Sequence, residues 1–368
     1  ISIRNTGSWT FGSPSVLMMF HRKSGTLDAE LAAMNECMPH YYRITQGHGQ
    51  GAELLMNAEA AFMQGNFSDA QILLEQTYST IASNGQHNIS LCCDFLAAKL
   101  SLFQEGVTFV KNPEVKRKEL LSLHNMMWLN IFDSTYAYYY ALIRMPEKIP
   151  ALFKDHMLST VSFLSPCRPM MEMIENQVFL SQKMYAKVIG RSETLLPVCE
   201  KMHYELVSLH VQIQTAAAYA MLGKHHDARQ LLQKALGHAM PDGFLIPFVE
   251  NYTYIKDVLG SINSITPEPF TDRILSLGSV YEQHCLRLSS RNSRPEILNM
   301  LNSREAEIAA LITDRLSNRE IAERLFLSEG TVKQYVNQIY SKLMINGDTR
   351  TKRKQLAELI SSINKGLT

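Results

Sequence analysis

Three polar side chains near the carboxyl end of the sequence are spaced for one face of a helix. Lys333, Gln334 and Asn337 would lie on the same side, because residues three and four apart are neighbours on a helix surface. Lysine can meet guanine acceptors or a phosphate, and glutamine or asparagine can pair bidentately with adenine. The hydroxyls of Ser328 and Thr331, just ahead of them, can donate to phosphate oxygens. This set of residues is suited to contact with base edges and backbone in a DNA groove.

Further polar residues in this stretch are candidates for phosphate contact or for positioning the helix, in addition to the two hydroxyls. They are Asn318, Arg319, Tyr335 and Tyr340. Phosphates bind well at helix N-termini, where backbone N–H groups are free and the helix dipole favours negative charge. We therefore predict that side chains and helix starts contact DNA together.

The surrounding sequence predicts three short helices that would position these residues. Ser303 and Glu305 open the first helix, as an N-cap hydroxyl followed by a first-turn acid. Ser317 and Glu320 have the spacing of a capping box for the second helix, and Ser328 is placed to cap the third. The third helix has an inward apolar face formed by Val332, Val336, Ile339 and Leu343. Two short helices joined by a tight turn form a helix–turn–helix, whose second helix enters the major groove by its N-terminal half.

Helix spacing alone leaves two interpretations open, since amphipathic three-helix segments also occur as plain packed bundles. The identities of the residues favour the first interpretation, because many of them match the pattern of a known family. The matching positions are Leu301, Arg304 and Glu305; Ser317, Asn318, Glu320, Ile321 and Ala322; Leu325, Leu327 and Ser328; Thr331, Val332 and Lys333; and Lys342 with Leu343. On these positions the stretch 301–345 resembles the LuxR-type helix–turn–helix domain, which implies a small four-helix domain that binds DNA. It departs from the family at Tyr335, where His is usual, and at Met344, where Gly is usual.

A fourth helix is predicted over residues 349–363, with an apolar edge. The edge consists of Leu356, Leu359, Ile360 and Ile363. In LuxR-like domains the last helix commonly mediates dimerisation, so the resemblance implies self-association through it. The alternative, that this helix only covers the core of its own domain, remains open. The basic residues Arg350, Lys352, Arg353 and Lys354 are either phosphate contacts or a solvated face.

The composition and the distribution of charge agree with this interpretation. The 368 residues have a net charge of only +1, but residues 287–368 carry 14 Lys and Arg against 9 Asp and Glu. Positive charge is thus concentrated where contact with phosphates is predicted. A hydrophobic content of 46% is typical of a soluble globular protein, and no apolar run is long enough to span a membrane. The six cysteines show no paired spacing, so we expect reduced thiols in a cytoplasmic protein of bacterial type.

No arrangement in the sequence predicts catalysis. Residues 47–51 are rich in glycine, but they lack the Lys-Ser/Thr of a P-loop, and no nucleophile or metal-ligand motif stands out. We therefore expect a protein that is not an enzyme, with neither a metal site nor a cofactor in this chain.

The sequence before this region predicts one helix after another over residues 28–288, behind an irregular lead at residues 1–27. A pattern of small residues around a glycine occurs twice with identical spacing. The two copies are Ala58, Ala61, Gly65, Phe67, Ala70 and Leu74, and Ala216, Tyr219, Gly223, His225, Ala228 and Leu232. A degenerate copy lies at Gly190, 33 residues before Gly223, and the pattern resembles the tetratricopeptide (TPR) repeat. Small residues let two helices approach closely and the glycine forms their turn, so we predict a TPR-like superhelix with a concave groove.

A TPR-like region followed by a LuxR-type domain is similar to the C-terminal portion of the MalT-like regulators, the large ATP-binding LuxR family. That resemblance implies a superhelix that binds an inducer and controls oligomerisation and DNA engagement. In that family a nucleotide-binding module precedes the helical region. Because the sequence begins at Ile1 rather than at a methionine, we interpret it as a fragment or a processed form, and whether such a module precedes it stays open. The polar stretch 289–296 is the predicted linker, and residues 297–368 are the predicted DNA-binding domain.

Aromatic residues in the helical region form a second candidate site. Trp128, Phe132, Tyr136 and Tyr140 are spaced four apart, so they share one face of a predicted helix. This spacing favours packing between helices. The alternative is that part of the stripe lines the concave groove and stacks on a small ligand.

Together the sequence predicts an all-α protein that binds double-stranded DNA and regulates transcription. Its TPR-like region would sense a small-molecule inducer or a protein partner and thereby control DNA engagement. The alternative is a TPR-type interaction scaffold in which the C-terminal domain serves assembly. Salt dependence separates the two, because a DNA reader that neutralises several phosphates loses affinity steeply as salt rises.

Overall fold

The computed structural model describes residues 13–82, 86–104, 107, 113–161, 163, 166–292, 301–314, 316–343, 345 and 347–365. Over these ranges every regular element is a helix, so the predicted all-α class is confirmed. The chain divides into two compact units, here called the first unit (up to Leu286) and the second unit (from Arg287). Among the described residues, no helix is both long enough and apolar enough to cross a membrane.

Helices of the described ranges are numbered in chain order. Helices α1 to α8 are Val16–Phe20, Leu27–Ile44, Ala52–Met63, Phe67–Ile81, His87–Leu100, Pro113–Ser122, Met126–Leu142 and Ala151–Lys154. Helices α9 to α15 are Arg168–Ser181, Tyr185–Met202, Glu205–Met221, His225–Ala239, Ile246–Glu250, Tyr252–Ile265 and Pro269–Asn292. Helices α16 to α19 are Ser303–Thr313, Asn318–Leu325, Glu329–Lys342 and Thr349–Lys365. Three short 3-10 turns complete the set: Pro146–Lys148, Leu158–Thr160 and Met240–Asp242.

Helical hairpins form around both glycines of the repeated pattern. Helix α3 packs on α4, and α11 packs on α12. Gly65 and Gly223 stand in the turns with φ of +80° and +74°, a conformation that favours glycine. The next residues, Asn66 and Lys224, donate their N–H to carbonyls five positions earlier at 2.8 and 2.9 Å. The predicted turns at these two glycines are therefore confirmed, whereas the likeness to the TPR fold stays a prediction.

The third copy of the pattern was misplaced. Gly190 lies inside helix α10 and not in a turn. The hairpin formed by α9 and α10 turns instead at Lys183, with φ of +60°, and Met184 donates its N–H five positions back at 2.8 Å. Because a residue other than glycine is uncommon at positive φ, the presence of a lysine at position 183 does not indicate a turn.

The lead and the linker are also shorter than predicted. Within the predicted irregular lead, residues Val16–Phe20 form a mostly buried helix, and the Ser15 hydroxyl caps it by accepting from the Met18 N–H at 3.2 Å. Helix α15 continues to Asn292, so the first four residues of the predicted linker 289–296 are helical. Neither proline nor glycine interrupts them, which lets the helix propagate. The rest of the predicted linker lies outside the described residues.

A charged cluster lies in the core of the first unit. Lys99 Nζ is 3.9 Å from Glu250 Oε1 and lies over the rings of Phe62 and Phe95. All four side chains are buried. Tyr138 donates its hydroxyl to Glu250 Oε2 at 2.6 Å, and the His210 ring lies 3.9 Å from the same oxygen. Burial lowers the pKa of Lys99 and raises the pKa of Glu250, although their attraction opposes both shifts.

A further buried carboxylate, Glu59, joins this cluster to the first helix. Its Oε2 accepts from the Leu17 N–H at 2.6 Å, at the start of α1. Burial raises the pKa of Glu59 from 4.5 to about 7, although the Leu17 N–H and Lys99 oppose the shift. This carboxyl therefore changes charge near neutral pH in the folded protein.

We expect Glu59→Gln to make the melting temperature of the first unit less dependent on pH. Because the pKa of Glu59 is raised on folding, its stabilising contribution is full below about pH 4.5 and is lost as pH rises through about 7. The difference in melting temperature, native chain minus Glu59→Gln, should therefore decrease as the pH rises from 5 to 8. Calorimetry across this range measures it, with the exposed Glu36→Gln as the matched control. A difference that does not change with pH contradicts the assignment.

Candidate nucleic-acid interface

One apolar core holds the four helices of the second unit together. The buried side chains are Leu301, Ile308, Ala309, Leu311, Ile312, Ile321, Ala322, Val332, Val336, Ile339, Tyr340, Leu343, Ile345 and Leu356. All four residues of the predicted inward face of α18 belong to this core, so that prediction is confirmed. The opposite side of α18 is consequently fixed toward the surface.

Hydroxyl caps begin the two helices of the helix–turn–helix. Ser317 and Glu320 form the predicted capping box of α17, each side chain accepting from the other's backbone N–H. Ser328 caps α18 by accepting from the Thr331 N–H at 3.0 Å. Both caps were predicted correctly, because a capping box is a local pattern that the sequence spacing alone specifies.

The cap of α16 differs from the prediction. Asn302, and not Ser303, is the N-cap, and it forms a reciprocal capping box with Glu305. Both residue types favour this position, so composition did not distinguish them. The three-residue spacing back from Glu305 was the signal that would have identified Asn302.

Glu305 also connects the start of α16 to the end of α18. Its side chain is almost fully buried, and its Oε2 accepts from the Asn302 N–H and from Lys342 Nζ, both at 2.7 Å. Burial raises the pKa of Glu305, but these donors outweigh it and hold the pKa below its ordinary value. Glu305 and Lys342, which both match the LuxR-type pattern, thus form an ion pair that holds the carboxyl end of α18.

The turn between α17 and α18 is held by Arg304. Its Nη2 donates to the Leu325 carbonyl at 2.8 Å, at the last residue of α17. The next residue, Phe326, is in the left-handed conformation with φ of +55°, and the Leu327 N–H donates to the Ala322 carbonyl at 2.9 Å. Arg304 therefore satisfies a carbonyl that the end of the helix leaves without a helical partner.

The predicted base-reading residues share one exposed face of α18. Lys333, Gln334 and Asn337 are all exposed, opposite the buried Val332. Gln338 is exposed beside them, and sequence reasoning missed it. Its position four residues after Gln334 was the available signal.

The candidates for phosphate contact divide between surface and core. The Ser328 and Thr331 hydroxyls lie 2.8 Å apart at the start of α18, where free backbone N–H groups are also available. Arg319 is exposed and paired with Glu323 at 3.2 Å, and Asn318 is half-buried at the start of α17. These four residues lie at the starts of the two helices, as an anion-binding arrangement requires.

Of the two tyrosines, one is a core residue. Tyr340 is only 5% exposed and packs within the apolar core, with Lys352 Nζ 5.9 Å from its ring centre. Of the two roles predicted for Tyr340, phosphate contact or positioning, its place in the core favours positioning, and the role itself stays a prediction. Its position four residues after Val336 continues the inward face. Tyr335 is half-buried and packs against the same core.

The last helix packs against its own domain. Helix α19 lies on α16, and its Leu356 is fully buried in the core. Leu359 packs against that core, and the side chains of Ile360 and Ile363 lie outside the described residues. Covering the core is thus one role of this helix, while self-association through it stays a prediction.

The aromatic stripe of the first unit is also part of a core. Trp128, Phe132 and Tyr136 are buried, and Tyr140 is half-buried. Ring centres of Phe132 and Tyr136 are 4.9 Å apart, and those of Tyr136 and Tyr140 are 6.1 Å apart. The burial of three of these residues agrees with packing between helices, which their spacing favoured, while a ligand-binding role of the stripe stays untested.

Residues 299–353 match the model of the family described as bacterial regulatory proteins, luxR family. The chain thus carries a LuxR-family helix–turn–helix domain at its carboxyl end, as the resemblance implied. The match covers the caps, the turn and the exposed face described above. The TPR-like character of the first unit stays a prediction.

Curated relatives are similar over short stretches. The transcriptional regulatory protein LnrK of Bacillus subtilis (strain 168) is 33% identical over 110 residues, which are 29% of this chain and 49% of that protein. The transcriptional regulatory protein DegU of Brevibacillus brevis is 45% identical over 53 residues, 14% of this chain and 22% of that protein. The transcriptional regulatory protein LiaR of Bacillus subtilis (strain 168) is 40% identical over 65 residues, 18% and 30% of the two chains. The chain therefore spans less than half the length of these relatives, and no solved structure matches it.

Proposed function

We propose that this protein is a sequence-specific, DNA-binding regulator of transcription whose helix α18 enters the major groove. The observation that carries the proposal is the exposed face formed by Lys333, Gln334 and Asn337. These side chains contribute nothing to the core, yet the helix that bears them is packed along its whole opposite side. A rigid helix with a free polar face matches what base reading needs.

The pairing of charges in the second unit supports this role. Four of its cations are already paired with carboxylates: Arg304 with Glu307, Arg319 with Glu323, Lys342 with Glu305 and Lys354 with Glu358. Among the described residues Lys333 forms no ion pair, so its ammonium group is available to guanine or phosphate. The relatives named above are transcriptional regulatory proteins, which agrees with the same function.

We further propose that helix α19 and the first unit regulate DNA binding. We place self-association on helix α19, which would match a dimer to paired half-sites. Signal reception is assigned to the first unit, for a small molecule or a protein partner. A cleft of about 460 Å³ between α2, α3 and α4 is of the size that small ligands occupy, and Asp28, Asn57 and Asp69 supply polar groups at its walls.

Selection of a preferred duplex by the full chain tests the proposal. A pool of randomised duplexes is enriched on the full chain, and the result is called the selected duplex. Fluorescence anisotropy then compares it with a shuffled duplex at about 50 mM and about 200 mM salt. We expect at least tenfold preference for the selected duplex and a steep loss of affinity with salt. Failure to enrich any sequence, or equal affinity for both duplexes, contradicts sequence-specific regulation and favours the interaction scaffold.

A further inference from the structure

One arginine of the last helix reaches the start of the first helix of the helix–turn–helix. Arg353 of α19 is half-buried, and its Nη1 donates to Asn318 Oδ1 at 2.9 Å. Its Nη2 donates to the Leu316 carbonyl. The two contacts span 35 and 37 positions of sequence. A single guanidinium group thus holds both ends of the segment that leads into α17.

The contact with Arg353 assigns a partner to one polar atom of the Asn318 amide. An asparagine side chain has one acceptor oxygen and one NH2 donor. Because Oδ1 accepts from Arg353, the NH2 group is the part left to contact a ligand. The same residue is the first of α17, directly after the Ser317 cap, where backbone N–H groups have no helical partner. The Asn318 amide donor and the backbone donors therefore belong to the same helix start.

Arg353 is also distinct from its basic neighbours on α19. Lys354 pairs with Glu358 at 3.7 Å on the surface of the same helix. Lys352 lies over the Tyr340 ring, 5.9 Å from its centre. Only Arg353 of these three contacts the segment before α17, and it uses two of its terminal donors within the domain. Its geometry is that of a fork holding two fixed oxygens.

We propose that Arg353 is a positioning residue for DNA binding, which aims the Asn318 amide and the first N–H groups of α17 at a backbone phosphate. It also ties the last helix to the DNA-contacting surface, so a change in α19 reaches that surface through one side chain. This inference rests on the proposed function. In this role Arg353 acts through Asn318 and does not itself contact a phosphate. Direct phosphate contact was one of the two roles that the sequence allowed for the basic residues 350–354.

A double-mutant cycle in the full chain tests the proposal. Arg353→Met, Asn318→Ala and the double variant are titrated with the selected duplex by anisotropy over a range of salt. We expect each single variant to weaken binding about five- to tenfold, and the double variant to be no weaker than the weaker single one, because both remove the same contact. The salt slope of Arg353→Met should equal that of the native chain. Lys354→Met, the matched loss of charge on α19, should leave the affinity within about twofold.

Additional variants separate positioning from charge and from misfolding. Arg353→Lys keeps the charge but not the fork, so it should bind as weakly as Arg353→Met. Asn318→Asp keeps the acceptor for Arg353 and replaces the NH2 donor, so it should weaken binding while the melting temperature is kept. Restoration of binding by lysine, additive losses in the cycle, or a salt slope reduced by about one phosphate overturns the positioning role.

Hydrogen exchange distinguishes failure of this inference from failure of the proposed function. Amide exchange in residues 316–319 of the full chain should be faster in Arg353→Met than in the native chain or in Lys354→Met. Unchanged exchange overturns the positioning role alone. A native chain that binds no duplex overturns the proposed function, and the positioning role with it.

Discussion

The combined replacement of Lys333 and Asn337 by alanine is expected to reduce affinity for the selected duplex by about 100- to 1000-fold. Each residue lies on the exposed face of α18 and away from the core, so the loss falls on binding rather than on folding. A good base contact contributes about 1–3 kcal/mol of discrimination, and each 1.4 kcal/mol is tenfold in affinity. Anisotropy with the full chain measures the change, and the melting temperature should stay that of the native chain.

The matched control for this variant is Lys354→Ala. It removes the same positive charge from an exposed, surface-paired position of α19. We expect it to leave the preference for the selected duplex over the shuffled duplex unchanged. If the α18 variant keeps the affinity and the preference of this control, the exposed face of α18 does not read DNA.

The second large effect is expected at Glu305. Replacing it by alanine should lower the free energy of unfolding of the second unit by about 2–3 kcal/mol, because the Asn302 N–H and Lys342 both lose a buried acceptor. The loss should stay below that of a fully buried pair, since the Lys342 side chain is 39% exposed and can return to water. Hydrogen exchange of the amides in α16 to α18 measures it within the full chain.

The control for Glu305→Ala is Glu307→Ala on the same helix. Glu307 pairs with Arg304 at the surface, so its loss should change the free energy of unfolding by less than about 1 kcal/mol. Amides of the first unit should exchange alike in both variants and thereby serve as an internal reference. If the two glutamates have equal effects, the buried ion pair does not hold α18.

Local patterns in the sequence predicted the caps and the faces of the second unit. Ser317 and Glu320, three residues apart, define a capping box without reference to the rest of the fold. The inward and outward sides of α18 follow from its period in the same way. Tyr340 shows the limit, because the type of an amphipathic side chain does not decide whether it contacts a ligand at the surface or packs in the core.

Pairs that are distant in sequence could not be predicted in this way. Glu305 and Lys342 are separated by 37 positions, and Arg353 and Asn318 by 35. The sequence marks each of these residues by its type or its place in a motif, but only the fold shows which partner it meets. The buried pair of Lys99 and Glu250 belongs to the same class, since no local pattern marks a charged residue as buried.

In the first unit the backbone itself departed from expectation. A turn at Lys183 has the geometry that glycine provides at residues 65 and 223, so the repeat of hairpins is more regular in space than in sequence. Conversely, Gly278 lies inside α15, where a Cβ would lie 2.2 Å from the Tyr252 ring. Glycine there serves the close packing of α14 rather than a turn.

The most direct test of the central claim is the removal of major-groove acceptors from the selected duplex. Replacing its guanines by 7-deazaguanine exchanges N7, an acceptor exposed only in the major groove, for carbon and keeps base pairing and the minor groove intact. If α18 reads the major groove through Lys333, replacement of one or two specific guanines should reduce the affinity of the full chain about tenfold or more. The Lys333→Ala variant should bind the substituted and the unsubstituted duplexes with equal affinity at those positions. Equal affinity for every substituted duplex would contradict recognition by this face.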